Sequence, residues 1–90
     1  MKFTWNEQKR VNNMRKHGFD FGRVEEVFKG NEDTTEDRRF SYPERRFRTV
    51  GLLHGEVVVV IHTGDEEHIH VISLRKATRR EASEFLRSLQ

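Results

Sequence analysis

Cysteine is absent from the 90 residues, which excludes disulfides and cysteine-based zinc sites. Proline occurs once, as Pro43, and tryptophan and tyrosine once each. Hydrophobic residues make up only 33% of the chain, and no apolar run approaches the about 20 residues needed to span a bilayer. Nothing at the N-terminus has the form of a signal peptide. These absences lead to the expectation of a soluble, cytoplasmic protein with no membrane partner. Neither sign of charge dominates, since the formal net charge is +2, so overall charge alone does not announce a nucleic-acid ligand. The length suits one domain over residues 1–90 that buries roughly 60–65% of its unfolded surface.

What is present is charge, at 36% of residues, and it is segregated. Glu32, Asp33, Glu36 and Asp37 form one acidic stretch and Asp65 to Glu67 another. Arg38, Arg39, Arg45, Arg46 and Arg48 form one basic run, and Arg75, Lys76, Arg79 and Arg80 a second. Separation of this kind draws an anionic ligand to one face while the mean stays near neutral. The apolar residues are few but patterned, which argues against disorder.

Lys2–Trp5 reads as a short extended segment. A first helix is expected from Asn6, a good N-cap, to Gly18, with a stripe of Val11, Met14 and the stems of Arg15 and Lys16. A second follows Asp20 and carries Phe21, Val24, Val27 and Phe28 at helical spacing up to Gly30. Residues 31–43 read as a loop, or a loop with one poorly hydrophobic edge strand. Three strands then follow: Arg45–Leu53, a tight turn at His54-Gly55, Glu56–Thr63, and His68–Arg75. The unbroken Val57–Ile61 run is that of a strand covered on both faces. A third helix is expected from Thr78, with Glu81 three residues on completing a capping box. The predicted class is α+β, in the order β-α-α-β-β-β-α, with an antiparallel meander.

The chemistry concentrates where the last strand runs into the third helix. Guanidinium and ammonium groups there supply fixed donors to anionic oxygens, so Arg75 is the first candidate for a phosphate ligand, with Arg45 from a neighbouring strand beside it. Arg75 and Lys76 are adjacent and point to opposite faces of an unbroken strand, which favours Arg75. Lys76, Arg79, Arg80 and Lys9 are candidates for flanking phosphates. A competing reading pairs Arg75 with Glu81 or Glu84 as a salt bridge anchoring the helix. His17 stands at the end of the first helix. The helix dipole there favours the imidazolium, and capping of the last carbonyls is the plainer role. His62, His68 and His70 raise the question of a metal site, since His68-x-His70 puts two imidazoles on one face. Solvated hairpin histidines are the commoner case, so no metal and no cofactor is assigned. One of the three is a candidate for proton transfer. Phe40 and Phe47, interleaved with Arg38, Arg39, Arg46 and Arg48, are candidates for an interface, and Trp5 for the core.

The chain also resembles the BrnT family of type II toxins. Phe3-x-Trp5-Asn6-Glu7-x-Lys9 is similar to the family's opening, Asn12-x3-Lys16-His17-Gly18 to its first-helix ending, and Phe21 through Val27-Phe28 to its second helix. Glu44-Arg45 before Gly51 is similar to its first meander strand, and Ile72-Ser73-x-Arg75-Lys76-Ala77-Thr78-x-x-Glu81 to its closing motif. His62 and His70 stand where the family commonly has Tyr and Arg. The resemblance implies a RelE-like fold and an RNA-cleaving toxin acting without metal, with His17 of the Lys16-His17-Gly18 motif as the candidate general acid or base and one of His62, His68 and His70 as the alternative to it. It further implies neutralisation by a BrnA-like antitoxin with a ribbon-helix-helix DNA-binding segment, in a hetero-oligomer that meets operator DNA through the antitoxin. Two other functions fit the same residues: a non-catalytic RNA-binding module, and a subunit whose task is to hold an antitoxin.

Overall fold

A computed structural model describes residues 1–90. In chain order it contains β1 (Lys2–Trp5), α1 (Glu7–His17), a 3₁₀ turn (Phe21–Arg23), α2 (Val24–Lys29), β2 (Glu32–Asp37), β3 (Arg46–Leu53), β4 (Glu56–Gly64), β5 (His68–Lys76) and α3 (Arg79–Ser88). The helix ends follow from local chemistry. Asn6 Oδ1 accepts the Lys9 N–H at 3.0 Å, and Gly18 closes α1 with φ 80°. Asp20 caps the 3₁₀ turn, and Thr78 and Glu81 form a complete capping box on α3. No helix is long and apolar enough to cross a membrane.

The five strands form one sheet in the order β1-β5-β4-β3-β2. β2 to β5 make an antiparallel meander, and β1 pairs with β5 in parallel, so the sheet is mixed. The predicted order therefore lacks one strand. Glu32–Asp37 is a full edge strand without an apolar residue. Its backbone pairs with the open edge of β3, and Thr34 and Thr49 share a hydroxyl hydrogen bond of 2.8 Å. The predicted single second helix is likewise divided, into the 3₁₀ turn and the short α2.

Both faces of the sheet are covered. Val58 and Val60 of β4 pack with Ile69, Val71 and Leu74 of β5 against Phe21, Val24 and Val27. Val59 and Ile61 face the other way, with Val50 and Phe85 of α3. The two-sided Val57–Ile61 strand is thus observed, with Val58, Val59 and Val60 fully buried. α2 lies close on β3, where a Cβ at Gly51 would meet Val27 Cγ1 at 2.8 Å, so glycine is what permits that approach. Along α1 the inward place belongs to Asn13, not Met14, which is 41% exposed.

β5 contains a one-residue irregularity that sets the site. Ile61 pairs with Ser73 and His62 with Val71, leaving Ile72 as an extra residue. Ile69 and Val71 face α2, whereas Arg75, opposite Val59, faces α3.

Candidate active site

Arg75 leaves the end of β5 on the α3 side and meets Glu81 in the first turn of α3. Its Nη1 donates to Glu81 Oε1 at 2.8 Å and its Nη2 to Oε2 at 3.0 Å, a bidentate pair. Arg48 of β3 reaches the same carboxylate, donating from Nη1 to Oε2 at 2.7 Å. Glu81 Oε1 also accepts the Thr78 N–H at 2.8 Å. These donors fix the carboxylate in the ionised form. Its pKa is lowered to about 2, first by the Arg75 hydrogen bond and then by Thr78, against the opposing effect of burial. Of the two carboxylates considered for Arg75, Glu81 is the partner, while Glu84 pairs with Arg80 at 3.2 Å.

Around this knot lies a hollow of about 340 Å³ with no hydrophobic residue in its lining. Arg38 and Arg39 join Arg48 and Arg75 there, with Glu36, Asp37, Thr35 and Glu81. Four guanidiniums on three carboxylates leave donors in excess, which suits an anionic oxygen ligand. Arg48 was legible only as part of a basic run. Counting back by twos from buried Val50 would have put it on the α3 face beside Arg75.

Arg45 stands elsewhere. It precedes β3, lies over the Phe47 ring at 5.3 Å, and pairs with Glu36 at 3.0 Å, with its side chain 71% exposed. Phe47 is opposite Glu36 and His62, on the α2 side of the sheet. Arg45 lines a second hollow there, of about 490 Å³, together with Phe28, Phe47 and His62. The expectation that Arg75 and Arg45 converge on one phosphate is therefore corrected. The sheet separates them, and Arg48 takes the neighbouring position.

His17 ends α1 half-buried, and its pKa is lowered by burial first and then by the charges of Lys16 and Arg75. The dipole argument for an imidazolium is thus reversed, and neutral imidazole near Arg75 is the form that can accept a proton. One turn earlier, buried Asn13 holds the end of β5. Its Oδ1 accepts the Leu74 N–H at 3.2 Å, and its Nδ2 donates to the Leu74 carbonyl at 2.8 Å. Asn13 thereby replaces a neighbouring strand past Trp5, where β1 ends. The residue was missed because a polar amide in a helix gives no apolar signal.

Lys9, Lys76, Arg79 and Arg80 are all exposed. Arg79 and Arg80 open α3 next to Glu81, and Lys76 alternates away from Arg75, whose Nη1 donates to its carbonyl at 3.3 Å. Lys9 lies in the first turn of α1.

The three histidines do not converge. His62 is 4% exposed and stacks with Phe47 at 5.8 Å; its Nε2 bonds Thr49 Oγ1 at 2.7 Å and its Nδ1 has no partner. Burial lowers its pKa to about 4. His68 and His70 lie exposed on the opposite face, both bonded to Thr4 Oγ1 at 2.8 and 2.9 Å. No group of three His, Cys, Asp or Glu side chains could hold a metal ion.

No curated protein matches the chain. Residues 5–81 match the family model described as the ribonuclease toxin BrnT of type II toxin–antitoxin systems. That span runs from Trp5 to Glu81, the carboxylate on which Arg75 and Arg48 meet. The chain belongs to the BrnT family, whose members are ribonuclease toxins.

Proposed function

We propose that this BrnT-family toxin cleaves RNA without a metal, in the hollow where Arg75 and Arg48 meet on Glu81. In this reading the 2′-hydroxyl of RNA attacks the adjacent phosphorus, and the 5′-oxygen leaves. The products are a 2′,3′-cyclic phosphate and a 5′-hydroxyl end. His17 accepts the 2′ proton as neutral imidazole, and water held in the hollow protonates the leaving oxygen. Arg75 and Arg48 stabilise the extra negative charge of the pentavalent phosphorus, already aimed by their shared carboxylate. Lys76, Arg79 and Arg80 hold flanking phosphates. Lys9 extends the basic track, and Arg45, across the sheet, contacts RNA only outside the reacting centre.

The observation that supports this most is the pairing of two guanidiniums on one partly buried carboxylate in a hollow lined only by polar side chains. Arg75→Ala and Arg48→Ala are each expected to lower RNA cleavage by about 10²–10³-fold, as loss of one donor to a developing oxyanion does. Wild-type cleavage by a folded Arg75→Ala protein would remove the assignment. Unchanged rates in a chelator check the metal-free step.

The rest follows the family reading. Residues 1–90 act as one cytoplasmic toxin domain of RelE-like fold. A BrnA-like ribbon-helix-helix antitoxin covers it in a hetero-oligomer and carries it to operator DNA. The closed Arg75–Glu81 pair favours one competitor, a module that binds RNA or antitoxin without cleaving. Analysis of RNA ends after incubation separates the two, since only cleavage yields cyclic phosphate.

A further inference from the structure

The arginines of the hollow continue into a set of aromatic rings outside it. Asp37 ends β2 with its side chain 2% exposed. It accepts from Arg39 Nε at 2.9 Å and Nη2 at 3.0 Å, and from the Tyr42 hydroxyl at 3.4 Å. Those anchors order the segment that follows. The Arg39 guanidinium lies 5.8 Å from the Phe40 ring centre, Phe40 meets Tyr42 edge-on at 5.9 Å, and Arg46 sits 4.2 Å over Tyr42. Phe40 itself is 66% exposed. A large ring is thus held out in water among guanidiniums, by a buried carboxylate.

We infer that residues 38–46 form a stacking platform for single-stranded RNA, with Phe40 taking the face of a base whose phosphate lies toward the hollow. The inference rests on the reading that the hollow holds RNA phosphate. Arg39 belongs to both structures, since it lines the hollow and lies over Phe40. Every base offers a π face, and alternating aromatic and guanidinium groups grip an unpaired strand with little regard to sequence. A protein partner would instead be drawn to a ring set in an apolar, water-excluding surround. Here the adjoining hollow has no hydrophobic lining, and residues 38–48 carry Arg38, Arg39, Arg45, Arg46 and Arg48 against Glu44 alone. Phe40 is therefore a binding residue that sets where the strand lies, outside the reacting atoms.

The test uses the full chain and a fluorescein-labelled single-stranded RNA with 2′-O-methyl sugars, which has no free 2′-hydroxyl and stays intact. Phe40→Ala is expected to weaken binding by about tenfold, Phe40→Trp to preserve it, and Phe40→Leu to behave like alanine, because stacking needs a ring. A matching abasic strand should bind wild type and Phe40→Ala equally. Unchanged affinity in Phe40→Ala overturns the platform, as does equal weakening on the abasic strand. Loss of antitoxin capture with intact RNA binding also overturns it, and makes Phe40 a protein contact. Since the strand cannot be cleaved, a catalytic failure of Arg75→Ala does not enter this readout. Abolished cleavage in Arg75→Ala with unaltered binding in Phe40→Ala sinks the platform alone.

Discussion

Arg75 and Arg48 face α3 with Glu81 between them, 2.7 to 3.0 Å away and only 14% exposed. Across the sheet, Arg45 meets Glu36 at a similar 3.0 Å but with its side chain 71% exposed, over the aromatic floor of Phe47 and His62. The distances barely differ; the surroundings do. Where the carboxylate is largely shielded from water, it fixes two cations in direction, and losing it strands both. Where water is present, the same contact is screened and leaves the cation mobile. Donors fixed in direction are what a reacting phosphate would need, whereas a mobile cation can only attract one from outside.

The two sides of the sheet differ most at Glu81. Glu81→Ala removes the mate of two partly buried guanidiniums and half of the capping box on α3, so a loss of about 3 kcal/mol in urea unfolding is expected. Cleavage should fall by about 10²-fold through misplacement of Arg75. Stability and cleavage both at wild-type level would mean that the knot is incidental.

A smaller effect comes from the aromatic side. His62 is held neutral, with a folded pKa of about 4 against an ordinary 6.5. The unfolded chain takes up that proton through about pH 6.5, and the folded chain only near pH 4. Its contribution is therefore complete above pH 6.5 and is lost as pH falls toward 4. Between pH 7 and pH 5 the wild type should lose about 2 kcal/mol more than His62→Phe. Parallel pH profiles for the two proteins would show that the imidazole is hydrated. The smallest effect belongs to Arg45→Ala, which should leave the urea midpoint in place and weaken RNA binding only at low salt. A cleavage loss as large as that of Arg75→Ala would erase the distinction between the two sides.

Much of the fold was legible because it depends on near neighbours in the chain. Asn6, Asp20 and the Thr78/Glu81 box mark their helix starts by side-chain bonds spanning two or three residues. The hairpin at His54-Gly55 requires two positive φ values, 51° and 80°, and His-Gly supplies them. β2 was only half legible, because Glu32–Asp37 has no apolar face and exists by pairing with β3. The site was less so. Arg75 stands out in its motif, but Arg48, which shares Glu81 with it, and Asn13, which holds the neighbouring Leu74, lie far from it in the chain.

The amino-acid order by itself determined the caps, the turn, the buried valine run and the cations at the end of β5, since each follows from spacing within a few residues. Which cations share a hollow was decided in three dimensions. The extra residue at Ile72 shifts the alternation of β5 by one place and carries Arg75 to the α3 side, away from Arg45. A side chain's face depends on the count of paired residues between it and the core, and that count is settled only when β5 finds its register on β4.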